Sequence, residues 1–320
     1  MQFYLAPMEG ITGYIYRNAY RDFFGDIDKY FTPFIAATSH KGLKSRELRD
    51  VLPENNEGIE VVPQILTNNA TDFITTVDKL KQFGYKEVNL NLGCPSGTVV
   101  SKFRGSGFLA KREMLDEFLA EIFDRCDIKI SLKTRLGKDS PDEFYELINI
   151  FNKYPMEELI IHPRVQKDYY KNTPNMAVFA DAMKLSTNRV CYNGNIFKKD
   201  DYDKLVSDYK ELDRVMIGRG IIGNPKLVND IKTGDYTLDK DTLRSFHDRV
   251  FGDYYELLQD QRSVVFKMKE MWFYMGAMFE DADKYLKKIR KANTRGDYEA
   301  AVNQIFRELT LNPANGFYFG

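Results

Sequence analysis

Residues 128–136 read Ile-Lys-Ile-Ser-Leu-Lys-Thr-Arg-Leu, a short apolar run whose polar members, Lys133 and Arg135, gather at its C-terminal end. A run this short, with no 3.6-residue period, reads as a strand buried on both faces, as in a parallel sheet. Seven other runs share the form. They are FYLAPM (3–8), KYFTPFIA (29–36), VVPQILT (61–67), VNLNLGC (88–94), ELIIHPR (158–164), RVCYNGN (189–195) and RVMIGRG (214–220). Most begin roughly 25–30 residues after the previous one, the rhythm of strands alternating with helices.

Segments between the runs carry helical signals. Thr71–Phe83 sets Phe73, Ile74, Val77 and Leu80 on one face, and Lys111–Cys126 aligns Met114, Leu115, Phe118, Leu119 and Ile122. Ser140 before Pro141 and Glu143 reads as a helix N-cap. Eight strands alternating with helices predict an α/β fold, a (β/α)8 TIM barrel over residues 1–235. A doubly wound sheet is the competing architecture, but no G-x-G-x-x-G follows the first run. After the turn-like TGDYTLDKDT (233–242) strand signals stop. Thr242–Leu258, Ser263–Phe279, Asp281–Asn293 and Tyr298–Leu311 read as helices, interrupted or separated by Gly252, Gly276 and Gly296. Residues 240–320 are therefore expected to form a helical bundle domain.

The chain has 320 residues, is 43% hydrophobic and has a formal net charge of −1. That balance excludes a globally basic protein that coats nucleic acid, and leaves room only for a local basic patch. Cys94, Cys126 and Cys191 are odd in number and widely spaced, so neither a disulfide framework nor a structural zinc site is expected. The N-terminus lacks signal-peptide character and no run is apolar enough to span a membrane. A cytoplasmic monomer that needs no protein partner is the expectation.

In a barrel of this kind, functional groups sit at the C-terminal ends of the strands. The polar residues fall there in register: Met8 and Glu9, Gln64, Asn89 with Asn91 and Cys94, Lys133 with Arg135, His162 with Arg164, Asn193 with Asn195, and Arg219. Polar groups inside buried strands are costly unless satisfied, so the set points to a ligand site. The last two runs end in Asn193-Gly194-Asn195 and Gly218-Arg219-Gly220, the usual phosphate loops of this fold, which implies a phosphate-bearing cofactor. Lys133 is read as a structural ion pair, a Schiff-base lysine or a fixed cation beside a cofactor; the absence of a tuning carboxylate or second lysine favours the last. Cys94 lies in a Gly-Cys-Pro loop, where a mostly protonated thiol can act as an acid as readily as a nucleophile. His40 and His247 read as structural, and no metal site is expected.

Taken in order, these residues resemble the tRNA-dihydrouridine synthase family. The resemblance rests on LAPMEGIT (5–12), NLNLGCP (89–95), RGSG (104–107), KTRLG (133–137), HPR (162–164), NGNI (193–196) and MIGRG (216–220), and runs from the first strand through the eighth. It implies bound FMN. Pro7, Met8 and Glu9 would touch the flavin and Gln64 would hydrogen-bond its ring. Lys133 would lie near N1 and O2 with His162 alongside, and Asn193, Gly194, Asn195, Gly218 and Arg219 would hold the phosphate end. Asn91 and Arg135 would face the uracil, Arg164 would join the substrate side, and Cys94 would be the general acid. Pro163, Val165 and Asn172 depart from the commonest family pattern at the RNA-facing rim.

The resemblance further implies a reaction in which NADPH reduces the flavin and leaves, and a uridine of tRNA or another structured RNA enters unstacked. Hydride then reaches C6 while Cys94 protonates C5. The helical tail would grip RNA through Lys284, Lys287, Lys288 and Lys291, with Lys102, Arg104, Lys111 and Arg112 as a second basic group. Rival readings are a flavin enzyme acting on a free pyrimidine, a catalytically silent RNA-binding homologue, and a lysine aldolase.

Overall fold

A computed structural model of the chain describes residues 1–38, 42–315 and 317, so His40 lies outside the described residues. By internal contact the chain divides into two compact units. Unit 1 comprises Met1–Pro7, Asp28–Gly194 and Tyr209–Met216; unit 2 comprises Met8–Ile27, Asn195–Asp208 and Ile217–Gly320.

Unit 1 is built on parallel strands: β1 (Gln2–Leu5), β2 (Lys29–Phe31), β3 (Ile35–Ala36), β4 (Val61–Val62), β5 (Gln64–Leu66), β6 (Glu87–Leu92), β7 (Lys129–Gly137), β8 (Leu159–Val165), β9 (Val190–Tyr192) and β10 (Arg214–Ile217). They follow the order β3-β5-β6-β7-β8-β9-β10-β1-β2-β4. The second and third sequence runs are each split in two, around Thr32-Pro33-Phe34 and at Pro63, where proline has no N–H to give a ladder. Because β2 pairs with β4 and β3 with β5, the split halves still face one neighbour and the ring closes. Thr32 stitches the break: its N–H donates to Val62 O at 3.2 Å and its Oγ1 accepts the Gln64 N–H at 3.0 Å. The result is the (β/α)8 barrel.

The barrel helices follow their apolar faces. Ala70–Gln82 starts at Asn69, whose side chain accepts the Asp72 N–H, and buries Phe73, Val77 and Leu80. Arg112–Arg125 buries Leu115, Phe118, Leu119 and Ile122, but Met114 is 47% exposed. Met114 falls just outside the arc bounded by Phe118 and Leu119, and so faces solvent. Ser140 lies two residues before the N-cap position, Asp142, of the next helix, Glu143–Phe151, but its Oγ still accepts the Asp142 N–H at 3.3 Å. The Glu143 carboxylate reaches back to accept the N–H groups of Lys138, Asp139 and Ser140. An apolar layer of Tyr4, Ala6, Phe31, Val62, Ile160, Cys191 and Met216 fills part of the interior.

Unit 2 is helical. Its last helices are Lys240–Leu258, Gln261–Met275, Asp283–Lys291 and Arg295–Glu308. Asp239, Asp260 and Thr294 cap three of them. Gly252 does not interrupt its helix, since an internal glycine costs only about 1 kcal/mol. Gly276 is needed for close approach: a Cβ there would lie 2.6 Å from the Leu286 side chain. Phe246 packs edge-on against Tyr16 and Phe24 of the Met8–Ile27 segment, at ring separations of 5.6 and 5.2 Å. No helix among the described residues is long and apolar enough to cross a membrane.

Candidate active site

Three neighbouring strands of unit 1 place Gln64, Asn89 and Ser131 in register, Gln64 opposite Asn89 and Asn89 opposite Ser131. One strand turn further, Asn91 stands opposite Lys133. Their side chains form a one-way chain of hydrogen bonds. Asn91 Oδ1 accepts the backbone N–H groups of Gly93 and Cys94 at 3.0 and 2.9 Å. Its Nδ2 must then donate, and does so to Gln64 Oε1 at 2.7 Å. Gln64 Nε2 donates to Asn89 Oδ1 at 2.8 Å, and Asn89 Nδ2 to Ser131 Oγ at 3.0 Å. Ser131 Oγ donates to Glu87 Oε1 at 2.8 Å. The chain begins on backbone groups that only donate and ends on a carboxylate that only accepts, which fixes all three amide orientations. Gln64 Nε2 and Asn91 Nδ2 each keep one N–H without a partner among the described residues.

Below this chain lies a buried ionic cluster that the sequence did not reveal. Glu87 pairs with Lys29 at 2.7 Å, and Lys29 also reaches Glu158 at 3.0 Å. Glu158 Oε1 further accepts from Tyr4 OH at 2.6 Å and Arg214 Nη1 at 2.9 Å. Burial raises the Glu87 carboxyl above the usual range, against the lowering pull of Lys29. These charges flank the apolar runs, where a charge ordinarily marks a solvated strand end. The available signal was Asn89 and Ser131, polar inside buried strands.

Lys133 is half-buried and has no hydrogen-bond or salt-bridge partner among the described residues. Burial first, then the neighbouring Arg135, lower its pKa to about 8. Arg135 itself is 1% exposed and gives its donors to backbone: Nε to Gly93 O, Nη1 to Val165 O and Nη2 to Tyr169 O, each at 2.9 Å. It ties the loops after β6 and β8. Arg164 donates to Asn172 O at 2.5 Å and lies 2.9 Å from His162 Nε2. A guanidinium only donates, so Nε2 accepts and the neutral imidazole carries its proton on Nδ1. Cys94 sits half-buried in a loop closed by Ser106, whose N–H and Oγ both donate to Cys94 O, at 3.1 and 2.8 Å. Gly105, at φ +55°, is required there, since a Cβ would meet Cys94 O at 2.8 Å. Asn193 Nδ2 donates to Met216 O at 2.7 Å, and a Cβ on Gly194 would strike Tyr192 OH at 2.1 Å. Pro7 is half-buried at the end of its segment.

In unit 2, Met8 caps a turn whose N–H meets Thr12 Oγ1 at 2.7 Å, and Glu9 is exposed beside Gly10. Asn195 Oδ1 accepts from Arg219 Nη2 at 2.9 Å, and the Arg219 guanidinium lies 5.2 Å from the Phe197 ring centre. Gly218 precedes the helical turn Arg219–Gly223. A Cβ on Gly220 would fall 2.0 Å from Ile196 O, so the two glycine loops meet through bare backbone. Lys284, Lys287 and Lys291 are exposed on Asp283–Lys291, while Lys288 donates to Gln304 at 2.6 Å. Of the second basic group, in unit 1, Arg112 is ion-paired to Glu143, Arg104 donates to Asn68 Oδ1 at 3.3 Å, and Lys111 lies 4.7 Å from the Phe103 ring centre. No metal-binding group of His, Cys, Asp and Glu occurs among the described residues.

A closed parallel barrel with a donor-rich, polar set at its strand ends defines a (β/α)8-barrel enzyme. Solved structures of similar fold include morphinone reductase, at 10% identity and TM-score 0.52, covering 73% of this chain and 86% of that one. A morphinone reductase mutant in complex with tetrahydroNAD superposes with TM-score 0.53 at 11% identity, over 73% of this chain and 86% of that one. The family model described as dihydrouridine synthase (Dus) matches residues 4–311, and the chain belongs to that family. Relatives include the probable tRNA-dihydrouridine synthase 2 of Bacillus subtilis (strain 168), 28% identical over 229 residues, 70% of each chain. The probable tRNA-dihydrouridine synthase of Staphylococcus aureus (strain COL) is 28% identical over 232 residues, 70% of this chain and 69% of that one.

Proposed function

We propose that this dihydrouridine synthase uses bound FMN and NADPH to reduce uridines of tRNA to 5,6-dihydrouridine. The observation that carries the reading is Lys133, a half-buried cation with no ion pair among the described residues, opposite Asn91 in register, where the Asn91 and Gln64 amides are oriented to donate. That donor set, with no carboxylate bonded into it at Gln64 or Asn91, fits an acceptor-rich ring that becomes anionic on reduction, as a flavin does. Asn195, Gly218 and Arg219, whose loops meet without a side chain at Gly220, suit a phosphate.

In this reading Lys133, Gln64 and His162 hold the ring, Pro7, Met8 and Glu9 flank it, and Asn193, Gly194, Asn195, Gly218 and Arg219 hold the phosphate end. When bound, the flavin would supply the hydride chemistry, taken from NADPH and given to uracil C6. Cys94 gives the proton to C5 and recovers one from solvent. Asn91 orients the uracil, and Arg135 and Arg164 shape its rim by holding the loops that carry Val165, Tyr169 and Asn172. Residues 1–235 carry the chemistry and 240–320 the RNA grip, through Lys284, Lys287, Lys288 and Lys291. The enzyme acts as a cytoplasmic monomer.

The test is single-turnover oxidation of FMN-loaded, pre-reduced enzyme by unmodified tRNA, with dihydrouridine measured in the product. Dihydrouridine formed in step with flavin oxidation is expected. Protein that binds no FMN, or a reduced flavin indifferent to tRNA, would overturn the proposal.

A further inference from the structure

Unit 2 sorts its cations into two groups. Arg244, Arg249 and Arg295 are held by carboxylates one helical turn away, Asp248, Asp253 and Glu299. Arg262, Lys269, Lys287 and Lys291 make no salt bridge among the described residues. Arg262 and Lys269 rim a cleft of about 610 Å³ whose walls include Leu258, Val265, Phe266 and Ala292. Ala292 also lines an adjoining cleft with Lys288 and Lys291. Two cations without a salt bridge thus stand on the rim of one depression, and a third, Lys291, lines its neighbour.

Phe266 sits in that depression at 64% exposure, the largest among the exposed hydrophobic side chains, and no described ring contacts it. Its helix neighbours Val264 and Val265 are buried, so Phe266 is on the outward face of a helix whose core contacts are already made. An exposed aromatic face between free cations is the arrangement that holds an unpaired nucleotide: the ring stacks on a base and the cations take the flanking phosphates.

We propose that the Phe266 cleft is a binding site for one unstacked nucleotide of the RNA substrate, with Arg262 and Lys269 on its phosphates. This rests on the RNA reading above and adds a base contact to a surface otherwise assigned to phosphate. Stacking predicts sequence tolerance and an affinity that is only partly salt-dependent.

The test uses full-length enzyme and an unmodified tRNA transcript, titrated across salt. Phe266→Ala should weaken binding about tenfold with its salt slope unchanged, because stacking releases no counterions. Phe266→Trp should restore affinity, and the added indole emission should be quenched on binding. Arg262→Gln with Lys269→Gln should reduce the slope by roughly two. Wild-type affinity in Phe266→Ala, with the emission of the Phe266→Trp variant unmoved by RNA, overturns the site while leaving the RNA reading intact. A wild type that binds no tRNA overturns both. A wild-type dimer that Phe266→Ala dissolves also overturns the site, making the patch a contact between copies.

Discussion

Asn91 Oδ1 receives the backbone N–H of Cys94 at 2.9 Å, so the residue that orients the thiol loop is itself the last member of the chain leading back to Glu87. Ser131 lies within that chain, fully buried. Ser131→Ala leaves Asn89 Nδ2 without its acceptor, and its influence on a ligand must pass through Gln64. Flavin affinity of the apoprotein should fall severalfold in Ser131→Ala, and stability by about 1–3 kcal/mol. In a Gln64→Ala background the same change should leave affinity untouched. Equal effects in both backgrounds would assign Ser131 a general packing role only.

The lowered pKa of Lys133, about 8, has a definite sign. Below pH 8 the ammonium is present and ready for an electron-rich ring. Above it, binding must first take up a proton, so flavin affinity should fall by up to about tenfold per pH unit. Lys133→Ala should bind more weakly and show a flat profile from pH 7 to about 9.5. For the ligand-free protein the unfolded chain holds more protons between about 8 and 10.4, so this group's contribution to stability rises with pH in that window. Fluorescence titrations of the apoprotein at several pH values decide it; a parallel decline in wild type and Lys133→Ala removes Lys133 from the ring.

The barrel was legible because strand periodicity and strand-end polarity are local properties: IKISLKTRL shows both within nine residues. The breaks in the second and third runs were present as Pro33 and Pro63, yet only the pairing of β2 with β4 and β3 with β5 shows that the ring closes around them. The Glu87–Ser131–Asn89–Gln64 chain depends on register between three strands, which no single run encodes. Likewise, the segment Tyr14–Phe23 is not among those read as helices, and nothing near Tyr16 tells that it would meet Phe246, far along the chain. The backbone targets of Arg135 are equally invisible, because a carbonyl has no letter in the sequence.

His247 provides a structural prediction. Trp272 Nε1 donates to Tyr298 OH at 2.8 Å, so the phenol's own proton goes to His247 Nε2 at 2.6 Å. Nδ1 then donates to Asp248 Oδ1 at 2.8 Å. Burial lowers the His247 pKa, and protonating Nε2 would set donor against donor. Stability should therefore fall as pH drops through the unfolded value of about 6.5. Tyr298→Phe should cost about 2 kcal/mol or more at pH 7.5 by leaving Trp272 Nε1 and His247 Nε2 unpartnered, and should flatten the acid decline. Thermal unfolding between about pH 5 and 8 measures both, and an unaltered pH dependence in Tyr298→Phe would contradict the assigned proton positions.

Cys94 is the last and most direct case. Its loop is held by backbone: Asn91 takes its N–H, Ser106 takes its carbonyl, and Gly105 leaves room for both. These contacts are made by the backbone of Cys94, which an alanine keeps. Cys94→Ala should therefore fold and bind FMN as the wild type does, and NADPH should still reduce its flavin, since that half-reaction delivers no proton to uracil. Oxidation of the reduced enzyme by tRNA should slow by a factor on the order of 10² or more, the usual effect of removing a positioned acid. Cys126→Ala and Cys191→Ala serve as controls: one thiol lies at a helix end, and the other is buried within the barrel's apolar layer. Both are pushed to higher pKa by burial, so neither is poised for proton exchange at neutral pH. Stopped-flow traces of flavin absorbance, taken with one tRNA in excess over each variant, separate the half-reactions. A Cys94→Ala enzyme that reduces tRNA at the wild-type rate leaves C5 to be protonated by solvent or another group, and removes the thiol from the mechanism.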